Sequence, residues 1–82
     1  MIFVELKFES KGRGKGKRAK VWFDNGYGAS IINDGYGGDE GLYELAILTE
    51  DGICYDTEIT NDVIGYLTPM EVSALLERIE NL

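Results

Sequence analysis

The sequence predicts an α+β domain: an antiparallel β-meander of four to five strands with one C-terminal helix packed on one face. Three observations carry this expectation. Several short runs alternate apolar and polar residues, glycine-rich turns separate those runs, and residues 68–82 place their apolar side chains at helical spacing. With 82 residues and no break in composition, residues 1–82 read as a single domain.

Each element follows from its residues. Residues 2–9 alternate with a period of two, which predicts a half-buried strand with Ile2, Val4, Leu6 and Phe8 facing inward. Residues 10–18 hold three glycines and five bases, a composition that cannot bury apolar area and predicts a loop. Residues 19–24 predict a second strand, with Ala19, Val21 and Phe23 on one side and Lys20, Trp22 and Asp24 on the other. The two strands pair as a hairpin with the basic loop at its tip. Asn25-Gly26-Tyr27-Gly28 is a turn, residues 29–33 a short strand, and residues 34–41 a glycine-rich loop.

Residues 42–50 are apolar on both faces, which predicts the central strand. Asp51-Gly52 predicts a tight hairpin into a strand over 53–59. Residues 61–64 predict one helical turn ended by Gly65. Thr68 is the N-cap of the last helix, Pro69 its first residue, and Glu71 completes a capping box. Val72, Leu75, Leu76, Ile79 and Leu82 form its apolar stripe.

The charge is divided. The net charge is −7, yet residues 1–20 hold seven bases against two acids, and residues 21–82 hold thirteen acids against one base. An acidic body with one basic segment is suited to meeting a partner with a basic surface. The same composition excludes several functions. There is no His, so no Ser-His or Cys-His nucleophile and no His-ligated zinc are expected. One Cys allows no internal disulfide, and Cys54 reads as a small hydrophobe in a strand. Asp34, Asp39, Glu40 and Glu44 do not follow the ligand spacing of a calcium loop. No enzyme activity, metal or cofactor is expected. The longest apolar runs are four residues, so no membrane span is expected, and a cytoplasmic location is.

Two sets of candidate contacts remain. For protein binding they are Trp22, Tyr27, Tyr36, Asp39 and Glu40. Asn25-Gly26-Tyr27-Gly28 and Asp34-Gly35-Tyr36-Gly37 repeat one pattern, and tyrosines on glycine turns serve either as a contact platform or as lids over a small core. Trp22 is either an exposed interface residue or a cross-strand partner of Phe3. For nucleic acid the candidates are Lys11, Arg13, Lys15, Lys17 and Arg18, within the basic segment 11–20. A third reading is an assembly role through an exposed strand edge. The oligomeric state is not fixed by any of these.

Trp22-Phe23-Asp24-Asn25-Gly26-Tyr27-Gly28, Tyr36-Gly37-Gly38-Asp39-Glu40-Gly41-Leu42-Tyr43-Glu44-Leu45-Ala46, Tyr55-Asp56-Thr57, Ile59-Thr60, Asp62-Val63 and Gly65-Tyr66-Leu67-Thr68 together resemble small uncharacterised proteins of tailed bacteriophages and prophages. The resemblance covers residues 22–82. It implies a phage source and a bacterial host cell, and it assigns no functional residues. It favours a small acidic protein that binds and blocks a host defence or nucleic-acid-processing enzyme, in the manner of an anti-CRISPR protein.

Overall fold

The computed structural model describes residues 1–13 and 16–82. Among these residues six strands form one antiparallel sheet: β1 (Glu9–Ser10), β2 (Lys17–Trp22), β3 (Gly28–Ile32), β4 (Tyr43–Thr49), β5 (Gly52–Ile53) and β6 (Ile64–Leu67). One helix, α1 (Pro69–Glu80), follows. The strands run in meander order from β1 to β5, and β6 also pairs with β4. The α+β class, the meander and the single C-terminal helix are therefore as the sequence predicts. No helix among the described residues is long and apolar enough to cross a membrane.

β4 is central, as its two apolar faces require. One edge pairs with β3 along Glu44–Leu48, while the other is shared end to end by β5 at Leu48–Thr49 and β6 at Tyr43–Leu45. Ala29, Ile31, Leu45 and Ile47 face α1, which buries Val72, Leu76 and Ile79 against them. Each such aliphatic side chain contributes about 1.5–3 kcal/mol by leaving water. The helix starts where its capping box predicts. Thr68 Oγ1 accepts from the Glu71 N–H at 3.2 Å, and Glu71 Oε1 accepts from the Thr68 N–H at 3.0 Å. At its other end, Asn25 Nδ2 donates to the carbonyls of Ile79 (2.9 Å) and Glu80 (3.2 Å). The β2–β3 turn thus satisfies two of the carbonyls a helix leaves open.

Four expectations are corrected. Residues 2–9 do not form a strand: Phe3–Glu5 is a 3₁₀ turn, and pairing with β2 is confined to Glu9–Arg18 and Ser10–Lys17. The inward residues are Phe3, Leu6 and Phe8, while Val4 is 81% exposed. The reason is an aromatic cluster. Phe3, Phe8 and Tyr43 hold ring centroids 5.0–5.7 Å apart, and the Phe3 N–H donates to Ser73 Oγ at 2.7 Å. That packing draws the segment beneath the sheet instead of along its edge, and removes Phe3 as a cross-strand partner for Trp22. The strand expected over 53–59 ends at Ile53, and residues 61–64 are not a helical turn, because Ile64 already belongs to β6. β6 takes the edge of β4 that a longer β5 was expected to fill. The hairpin before β5 is present with its tip shifted by one residue: Thr49 pairs with Gly52, so Glu50 and Asp51 form the tip, and Gly52 follows at φ 112°.

Candidate functional site

The expected protein contacts divide between opposite ends of the sheet. Trp22 and Tyr27 flank the β2–β3 turn. Tyr36, Asp39 and Glu40 lie in the β3–β4 connection, roughly 13 Å away along β3 at ~3.3 Å per residue. Tyr27 is half-buried and packs on the core. Its echo, Tyr36, is 64% exposed, so the repeated Asx-Gly-Tyr-Gly pattern serves two different environments.

The β3–β4 connection is pinned on every side. Asp34 bonds Lys11 Nζ at 2.8 and 3.0 Å, which holds the Asp34 carboxyl below its ordinary pKa. Asn33 Oδ1 accepts from the Lys17 N–H at 2.7 Å, and Glu44 Oε1 from the Tyr36 N–H at 3.2 Å. Two glycines then allow an unusually close approach to β6. A side chain on Gly65 would collide with Tyr36 Cβ, and one on Gly37 would come within 2.8 Å of Tyr66 Cα. In that space the Tyr66 N–H donates to the Tyr36 carbonyl at 2.9 Å.

Tyr66 is the residue the sequence reading missed. It occupies the left-handed region at φ 58°, which costs a bulky L-residue about 1–2 kcal/mol. It sits at a bulge, where β6 spends three residues to pass two of β4. The residue is nevertheless 57% exposed. The available signal was Gly65 inside an apolar run, since a glycine in a strand marks a bulge. Asp39 and Glu40 occupy the adjoining 3₁₀ turn Gly38–Glu40, exposed and set between left-handed Gly37 and Gly41. The main chain thus joins two exposed tyrosines, Tyr36 and Tyr66, and the 3₁₀ turn that follows Tyr36 carries two exposed carboxylates.

The second surface is the sheet face that α1 leaves open. Its residues stand in registered rows: Arg18, Ile32 and Glu44; Lys20, Ser30 and Ala46; Trp22, Gly28, Leu48 and Ile53. Between them runs a groove of ≈ 290 Å³. Among the described residues, two of the expected nucleic-acid contacts, Lys11 and Arg13, lie in the β1–β2 connection and two, Lys17 and Arg18, lie in β2. Lys11 is bound to Asp34, Arg18 stands on the open face opposite Glu9, and Arg13 and Lys17 are exposed. Lys15 lies outside the described residues. The four acids weighed as metal ligands are also dispersed, with Asp34 on Lys11 and Glu44 on the Tyr36 amide.

A third, apolar patch joins the N-terminal segment to the start of α1, with Ile2, Val4 and Met70 exposed around it. Comparison with family models, with curated proteins and with solved structures finds no match for this chain.

Proposed function

We propose that this chain is a protein-binding factor whose contact surface is the Tyr36–Tyr66 platform with Asp39 and Glu40, and whose partner presents a basic surface. One observation carries the reading: Tyr66 is kept at a strained φ of 58° with its ring outward, beside an exposed Tyr36. A glycine would relieve the strain, so the tyrosine side chain is what the position retains. Two rigid aromatic rings supply contact area at little entropic cost, and the flanking carboxylates supply orientation and encounter rate. An acidic body of net charge −7 fits a basic nucleic-acid channel on another protein. The resemblance to phage proteins extends the proposal to blocking such an enzyme in a bacterial host.

The test is capture from nuclease-treated bacterial lysate by the tagged chain, with Tyr36→Ala/Tyr66→Ala and Asp39→Lys/Glu40→Lys in parallel. One protein retained by the wild type and lost from both variants is expected. Equal recovery by the wild type and both variants overturns the platform. Recovery that disappears on nuclease treatment transfers the function to nucleic acid.

A further inference from the structure

We infer that the outer edge of β2 is a docking site for an extended acidic peptide segment of a partner protein, which adds to the sheet as a strand beside Lys20 and Trp22. The argument starts from main-chain direction. The Phe23 N–H donates to the Tyr27 carbonyl at 2.8 Å, and the Asn33 N–H to the Lys17 carbonyl at 3.2 Å. Odd-numbered residues of β2 therefore bond to β3, and by antiparallel alternation Lys20 and Trp22 turn their N–H and C=O groups to the other side. On that side β1 reaches only Lys17 and Arg18. The edge at Lys20 and Trp22 has no strand partner among the described residues, because the segment expected to pair there is drawn under the sheet by Phe3 and Phe8.

An unpaired edge is a template for strand addition. The charges choose what it accepts. Arg18 and Lys20 point to the open face from the same strand, and with Lys11 they line a polar groove of ≈ 320 Å³ along this edge. Trp22 continues the row, 52% exposed, so a strand entering beyond β1 meets Lys20 and the indole at alternate positions of one face, with Arg18 the next cation along the row. A second copy of this chain would bring a like-charged edge and is disfavoured. A strand with Glu opposite Lys20 and an apolar residue two positions away, on the same face, brings its carboxylate within reach of Lys20 and, diagonally, Arg18, and lays the apolar side chain on Trp22. Main-chain groups without a strand partner favour a peptide over a nucleic acid, which has no strand ladder to offer. This surface is separate from the tyrosine platform, so either stands if the other fails.

The test uses the full chain and a labelled panel of eight-residue peptides in which Glu and an apolar residue (Val, Ile or Tyr) stand two positions apart, in either order, with Thr at the intervening positions. Lysine-for-glutamate twins and a labelled oligothymidine serve as comparisons. Anisotropy is expected to show at least one Glu peptide binding ten-fold or more tighter than its Lys twin. Amide exchange at Lys20 and Trp22 is expected to slow at least ten-fold on saturation. Lys20→Pro removes the outward donor and should abolish binding, and the Arg18→Glu/Lys20→Glu double variant should reverse the Glu/Lys preference if the proline variant unfolds. Equal affinity for both twins, no binding by any peptide, binding of the oligothymidine alone, or binding without protection of those amides each overturns the proposal.

Discussion

The Trp22 ring lies on the bare Cα of Gly28, its cross-strand partner in the β2–β3 register. A Cβ built on Gly28 would fall 2.7 Å from Trp22 Cε3 and 2.6 Å from the Val21 carbonyl oxygen. The aromatic thus replaces the side chain that glycine lacks and shields the backbone of an otherwise weak strand position. The indole can move, but the carbonyl belongs to the sheet and cannot. Gly28→Ala is expected to cost about 1–3 kcal/mol as an overpacking substitution. It should also displace the indole, changing Trp22 emission in the folded state. Urea unfolding followed by circular dichroism and by fluorescence measures both, and an unchanged midpoint would refute the contact.

At Tyr66 one substitution raises stability while removing the proposed contact. Tyr66→Gly relaxes the left-handed backbone and should raise stability by about 0.5–1 kcal/mol, less than the full strain because glycine also loses more chain entropy on folding. The same change should weaken partner binding. Tyr66→Val, β-branched at positive φ, should lower stability. Thermal melts of the two variants decide the matter: a glycine variant less stable than the valine variant would exclude backbone strain as the controlling term.

The meander, the central strand and the helix with its cap were legible because each rests on local chemistry: the apolar run Leu45-Ala46-Ile47-Leu48, the turn glycines, and Thr68 with Glu71. What escaped was decided over distance. The alternation of residues 2–9 is real, but Phe3 finds Phe8, Tyr43 and the Ser73 hydroxyl, and tertiary packing overrides a period of two. Beyond Cys54, whose N–H still donates to the Ile47 carbonyl at 2.7 Å, the segment yields the β4 edge to β6, a competition no local pattern records. Of the candidate contacts, Tyr36, Asp39 and Glu40 were singled out by their glycine-rich loop, and the fold leaves all three exposed. Tyr66 was not singled out, because its place beside Tyr36 depends on two glycines, Gly37 and Gly65, that meet only in the fold.

Asn25 links turn and helix. Its Oδ1 accepts from the Tyr27 N–H at 3.0 Å, while its Nδ2 donates to the last turn of α1. Asn25→Ala should cost about 1–2 kcal/mol, since part-buried carbonyls lose a donor and the turn loses its internal acceptor. Asn25→Asp retains the acceptor and reverses the electrostatics, placing a carboxylate at the negative end of the helix. It should therefore be no better than alanine. Equilibrium unfolding of both variants tests this, and an aspartate variant as stable as the wild type would show that the Nδ2 bonds contribute nothing.

Cys54 gives a pH-dependent signature. Its thiol donates to Asp56 Oδ1 at 3.0 Å, and that bond, more than any other influence, raises its pKa above the ordinary 9.0. The folded state therefore holds the thiol proton more tightly than the unfolded chain. The stabilisation is fully present below about pH 9 and is lost as pH rises through the higher folded pKa. Asp56→Asn removes the carboxylate, so the thiolate fraction at pH 8.5 should rise and iodoacetamide should alkylate Cys54 faster, because the thiolate is the nucleophile. Because Cys54 is half-buried, opening of the fold also limits access. The rate ratio should therefore be compared with that in denaturant, where the two chains must react alike. A faster rate in the folded variant and equal rates in the unfolded chains establish the bond, whereas equal folded rates would remove it.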